Sequence, residues 1–459
     1  MKWMKLAVVF ASVTAFGRAY AFHEGGVAYC DGCHTMHNSS ANKSMAKKGT
    51  STQFQGLNYL LQGSDDSSTC LNCHAAADAQ GAPASYHIMT YPAPTGASGL
   101  GPVERTPGGD FAWLTMSFTP APLYGRTGNG SVVAPERHGH NIVAADYGLV
   151  ADATLTSAPG GTYKATDLSC ASCHDPHSRA RVVDAAGTVA TSAFGKQVLP
   201  IGASGSYGAV PTTSEAVGVY RLLGSAAYTQ MSVPGMTAFA SNPPVAVAPA
   251  TYNRTEATTD TRVAYGTGMS EWCANCHVSI HNDNVNAANT ALIHPSGSAA
   301  LLSATANDLA GNASGTTIAA IYNAYKSSGD LTGAQATSYT SLVPYEEGIK
   351  DLATLASHAV NDGSITTGPS TGKENVMCLS CHRAHASGWS SMTRWNNKAE
   401  FLTLAGVYPG IDATDPEAKG GQYNLGMTQA QVTAAMYDRP ATKFAYAQRS
   451  LCNKCHAKD

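Results

Sequence analysis

The chain has 459 residues, with 28 Lys and Arg against 31 Asp and Glu, a formal net charge of -3 and only 13% charged residues, about half the usual share. That balance excludes nucleic acid as a partner, and 45 Gly with 22 Pro describe a loop-rich chain poor in ordinary core-forming segments.

At the N-terminus Lys2 and Lys5 precede an apolar stretch from Leu6 to Phe16, and Ala19-Tyr20-Ala21 supplies a small-residue cleavage site. Residues 1–21 read as an export signal, with a mature chain beginning at Phe22. Removing the signal leaves 25 basic residues against 31 acidic. No cysteine follows the cut to carry a lipid, and no later segment offers the roughly 18 unbroken apolar residues of a membrane helix. The expected destination is the cell surface or the extracellular space, with the periplasm as the alternative.

The mature chain then runs through six Cys-x-x-Cys-His motifs. They fall at Cys30, Cys33 and His34; Cys70, Cys73 and His74; Cys170, Cys173 and His174; Cys273, Cys276 and His277; Cys378, Cys381 and His382; and Cys452, Cys455 and His456, and use all 12 cysteines. Two thiols that add to porphyrin vinyl groups, followed by an imidazole carried under the iron, are the attachment chemistry of c-type haem. Disulfides, structural zinc or thiol exchange would not require the histidine. At the His frequency of this chain, six chance occurrences have a probability on the order of 10⁻⁹. The expected cofactors are six haem c, with the six motif histidines as proximal iron ligands.

The motif starts are 40, 100, 103, 105 and 74 residues apart, without other self-similarity between the blocks. Stretches such as Tyr91 to Gly109 and Pro243 to Thr251 read as coil with short strands. Ile318, Ile321, Tyr322 and Tyr325 give helical spacing within Thr316 to Ser328, with Gly329 as the stop. Thr428 and Gln431 form a capping box for a helix that ends before Pro440. Each haem motif is expected on a helical turn, because two thiols and one imidazole must face one porphyrin. The expected fold is a multihaem cytochrome c, mostly irregular with short α-helices and few short strands, wrapped around a stacked haem core. Residues 22–459 are expected to form one unit, because large apolar porphyrins replace an ordinary core.

Ten histidines remain. His37, His177, His281 and His385 follow a haem motif by three or four residues, too close to reach the far face of the same porphyrin; each must reach another iron or be idle. His87, His140, His294 and His358 are the other candidates, so eight residues compete for six distal positions, while His23 and His138 look dispensable. With this supply of imidazole, low-potential bis-His irons are favoured over Met ligation. Irons saturated in this way pass electrons, and no lysine-ligated motif, catalytic triad or phosphate loop is visible. Electron transfer is therefore expected rather than turnover. The first and last motifs lie almost at the chain ends, so an exposed haem edge at each end would favour head-to-tail, open polymerisation. A soluble shuttle that does not polymerise is the alternative, and a haem reductase with an open iron a third reading.

Four segments carry a resemblance over nearly the whole mature chain: FHEGGVAYCDGCHTMHNS from Phe22, TYNRTEATTDTRVAYGTGMSEWCANCH from Thr251, CLSCHRAHASG from Cys378 and LCNKCHAKD at the end. The chain resembles the outer-surface hexahaem cytochromes of metal-reducing bacteria. The resemblance implies an extracellular homopolymer in which bis-His haems stack in alternating parallel and T-shaped pairs. Other cytochromes would be the electron donors, and metal oxides or electrodes the acceptors. It also implies that His37 ligates the haem on Cys378 and Cys381 of the adjacent subunit. The chain departs from the family pattern at His138, in ERHGHN, and between Lys398 and Gly426.

Overall fold

The computed structural model describes residues 30–35, 39–40, 43–44, 60–78, 87–120, 134–177, 182–183, 189–190, 223–247, 262–280, 294–305, 315–325, 342–360 and 368–456. The export signal, His23, His37, His281 and the Gly329 helix stop lie outside them. Regular structure is short. Three antiparallel ribbons pair β1 (Ser39–Ser40) with β2 (Lys43–Ser44), β3 (Val182–Val183) with β4 (Val189–Ala190), and β5 (Val245–Val247) with β6 (Ala264–Thr267). Among the described residues no helix is long and apolar enough to cross a membrane.

Two of the expected helices form, and tertiary contacts end both early. Thr317 accepts from the Ala320 amide and opens α1 (Ile318–Ala324), which buries Ile321 and Tyr322. Tyr325 leaves helical geometry, donates its hydroxyl to the Arg449 carbonyl at 3.1 Å and accepts from Gln448 Nε2 at 2.6 Å. The Thr428–Gln431 capping box is present at the start of α2 (Gln429–Ala435). Beyond it, Tyr437 and Asp438 take positive φ of 59° and 57°. This sends Tyr437 Oη to the Thr106 carbonyl and the Asp438 carboxylate to Arg105.

The main core gathers Trp113, Trp389 and Trp395, each 2% exposed, with α2 laid across it through Ala434 and Ala435. Close approach there depends on Gly388: a Cβ at that position would stand 2.5 Å from Ala435 Cβ and 3.1 Å from the Trp113 ring. Each buried indole removes roughly 200 Å² from water, about 5 kcal/mol of hydrophobic transfer. Cys170, Cys381 and Cys455 pack at the margin of this core, so apolar packing and the Cys-x-x-Cys-His motifs are continuous.

Candidate haem-binding row

All six motifs fold as one helical turn. The histidine amide reaches back to the carbonyl of the first cysteine at 2.8 Å for His34, 2.9 Å for His174, 3.1 Å for His277 and His382, and 3.0 Å for His456. His74 ends a longer helix, α3 (Asp66–His74), opened by Asp65, whose carboxylate accepts from Ser68. The turn places both thiols and the imidazole on one side, as a doubly linked porphyrin requires. Distant chain then fixes the turns: Gln62 donates to the Cys33 carbonyl, Gly224 to Cys173 and Arg394 to Cys381, at 2.9, 2.8 and 2.8 Å.

The thiols of successive motifs lie within electrostatic range of one another in sequence order. Cys73 acts on Cys33, Cys70 hydrogen-bonds Cys170, Cys276 acts on Cys173, Cys273 hydrogen-bonds Cys378, and Cys455 acts on Cys381. The motifs therefore form a linear row, 1 to 6. The junctions also alternate: second cysteine to second cysteine at 1–2, 3–4 and 5–6, and first to first at 2–3 and 4–5. At the first-cysteine junctions the bond raises Cys70 and Cys273 and lowers Cys170 and Cys378. Both are built alike. Ser67 Oγ accepts from the Cys170 amide at 3.1 Å, and Ser270 Oγ from the Cys378 amide at 3.0 Å. Each serine stands three residues before the first cysteine of the earlier motif and is fully buried.

Four imidazole pairs face one another. Ring centroids are 6.0 Å apart for His34 and His177, 6.3 Å for His174 and His385, 6.0 Å for His140 and His277, and 6.0 Å for His294 and His456. A metal–nitrogen bond of about 2 Å, with the ring centre roughly 1 Å behind the nitrogen, puts two imidazoles on one iron about 6 Å apart. These residues therefore fit a bis-His iron. Each pair joins a motif histidine to one of the distal candidates. His140, His277 and His294 each direct Nδ1 at a backbone carbonyl, at 2.7 to 2.9 Å. This leaves Nε2 for a metal and fixes the tautomer. Burial, with His277 nearby, pushes His140 down to about 4, and burial with His294 nearby lowers His456. The lowered values favour the neutral form of the His140 and His456 rings, the form that binds a metal.

One backbone ladder positions two distal candidates at once. The segment carrying His385 and Ala386 is bridged to Gly109 on one side and Gly139 on the other. His385 donates to the Gly108 carbonyl at 2.7 Å, and His140 to the His385 carbonyl at 2.9 Å. Gly109 has φ +99°, and a Cβ there would lie 1.7 Å from the Ala386 oxygen.

The remaining candidates differ. His87 Nδ1 engages Asp78 at 2.7 Å and His358 Nδ1 engages Glu347 at 2.5 Å. Among the described residues no imidazole faces His358 or His382. His138, fully buried, stacks on Trp113 with centroids 6.4 Å apart and bonds the Ser387 carbonyl, so it packs in the core. The sequence reading missed how far the trailing histidines reach: they pass over the adjacent motif to the next but one. It also missed Ser67 and Ser270, whose shared offset before Cys70 and Cys273 was the available signal.

No protein-family model matches the chain. The C-type cytochrome OmcS of Geobacter sulfurreducens is 52% identical over 445 residues, covering 96% of this chain and 95% of that protein. The chain belongs to the OmcS family of c-type cytochromes. Two solved structures agree with it, both from Geobacter sulfurreducens and both covered over 100% of their length by 95% of this chain. They are the outer membrane cytochrome S filament (50% identity, TM-score 0.76) and the OmcS nanowires (49% identity, TM-score 0.78). The expected architecture, mostly coil with short helices and few short strands, is the one this OmcS-family chain adopts.

Proposed function

We propose that the chain is an exported electron conduit, binding six haem c and polymerising head to tail into an extracellular filament. Haem c supplies a reversible one-electron iron couple at each motif when bound. The chain holds the sites in a continuous row, saturates the irons with imidazole and so favours electron transfer over turnover. Residues 1–21 act as the export signal, and residues 22–459 form one unit.

The observation that carries this reading is the reach of the trailing histidines. His177, after motif 3, faces His34 of motif 1, and His385, after motif 5, faces His174 of motif 3. Each reaches two motifs back. The same step gives His281, after motif 4, to His74 of motif 2. For His37, after motif 1, two steps back passes the start of the chain and arrives at motif 5 of the preceding subunit. There His382 has no facing imidazole among the described residues. His140 and His294 serve motifs 4 and 6.

His37→Ala is expected to keep six covalent haems by pyridine haemochrome assay, to show one high-spin haem and to give only dispersed globules in negative stain. Unchanged filaments would overturn the assignment. His281→Ala should open one further iron without affecting polymerisation.

A further inference from the structure

Glu346 is fully buried on a segment bridged to Tyr265 of β6 and to Asn375, where motifs 4 and 5 meet. Its Oε1 accepts from the Met269 amide at 2.6 Å and its Oε2 from Asn375 Nδ2 at 2.8 Å. Met269 opens the helix Met269–Cys273 of motif 4, and Asn375 lies just before Cys378 of motif 5. The carboxylate acts on both first cysteines of this junction, Cys273 and Cys378. We propose that Glu346 is a redox-linked proton site: it takes up one proton when an electron enters the haem on Cys273 or Cys378, and returns it when the electron moves on. The proposal rests on the six-haem conduit reading.

Opposed influences poise the group. Full burial and the neighbouring Glu271 carboxylate favour the acid, the two hydrogen bonds favour the carboxylate, and the balance is pushed up to about 7. A site so balanced responds to one more charge. An electron on an adjoining haem favours the neutral acid, and its departure favours the carboxylate. The electron comes from the donor cytochrome and the proton from water. Ferric iron becomes ferrous as carboxylate becomes carboxylic acid, so the net charge of the junction is unchanged. The protonated group keeps lone pairs for Met269 and Asn375, so both forms fit the same place.

The charged groups on the surrounding segments have their own engagements. Glu271, on the motif 4 helix, accepts from the Ser298 amide at 2.7 Å. Arg262 pairs with Glu347 at 2.8 Å, and Glu347 also takes His358 at 2.5 Å. Glu374, beside Asn375, accepts from the amides of Ser370, Thr371 and Gly372 at 2.8 to 2.9 Å. Cys273 and Cys378 become thioethers on haem attachment and no longer titrate.

Proton uptake on electrochemical reduction of weakly buffered, haem-loaded protein tests this, with the redox-difference infrared spectrum as a second readout. A unit charge added nearby tightens the hold on a proton about tenfold. Near neutral pH the parent should therefore take up between about one half and one proton per chain more than Glu346→Gln. Haem propionates titrate in both proteins and cancel in the difference. A protonated-carboxyl band that moves in heavy water should grow in on reduction and be missing from Glu346→Gln. Glu271→Gln removes the neighbouring charge and should move the uptake to lower pH, which keeps the test informative if the Glu346 variant fails to fold. With all six haems low-spin, equal uptake in the parent and Glu346→Gln, or an unmoved profile in Glu271→Gln, would overturn the proton site alone. Parent protein lacking haem at Cys273 or Cys378 by peptide mass mapping would overturn the conduit reading with it.

Discussion

His138 and His140 stand two residues apart, yet their rings have opposite surroundings, so substituting each in turn tests the ligand geometry. The His140 ring faces His277 with centroids 6.0 Å apart, the spacing of two imidazoles about one iron. His140→Ala should leave one iron of the six open on one face. Carbon monoxide titration of the reduced protein should then saturate at about one ligand per six haems, with a matching high-spin signal in the oxidised state. His138→Ala removes a ring that packs on Trp113 and Phe118. It should leave all haems low-spin and cost about 2 to 4 kcal/mol in stability, the range for emptying a buried site. Carbon monoxide binding in His138→Ala, or none in His140→Ala, would refute the assignment.

Gly109→Ala puts a Cβ into the Ala386 carbonyl at a left-handed position and should disturb His385 and His140 together, opening about two irons in the same titration. Gly148, with φ +74° and nothing within 4 Å of its Cβ position, is the control and should open none. Ser67→Ala and Ser270→Ala each leave a cysteine amide unpaired and should cost about 1 to 2 kcal/mol apiece, additively because they sit at separate junctions; a double variant as heat-stable as the parent would refute this. Burial pushes Glu346 up to about 7 while it accepts from the Met269 amide and Asn375. Between the ordinary carboxylate value and about 7 the folded state binds the extra proton. Stability should therefore fall as pH rises through that window, by about 3 kcal/mol in total. Thermal unfolding of Glu346→Gln should lack that slope.

The site was more legible in the sequence than the fold. Attachment chemistry is local: two thiols and an imidazole on one turn are fixed by spacing alone, and the turns at Cys30, Cys170 and Cys452 form as that spacing requires. The apolar spacing of α1 and the capping box of α2 were visible for the same reason. Where each helix stops was not, because Tyr325 and Tyr437 are drawn out of helical geometry by partners about 120 and 330 residues away. Distal pairing was hidden similarly. Nothing near His177 states that it lies opposite His34, and nothing near His140 states that its partner is His277.

The alternating thiol junctions impose a parity on the assembly. Junctions 1–2 and 5–6 are both of the second-cysteine kind, so an unbroken alternation requires a first-cysteine junction between subunits. The residues that would form it, Cys452 of one subunit and Cys30 of the next, are both exposed. With an even number of motifs, a head-to-tail boundary in the proposed filament would continue the same alternation. A chain with five or seven would place two like junctions in succession once per subunit. Lengthening or shortening such a protein by recombination should therefore succeed only in units of two motifs.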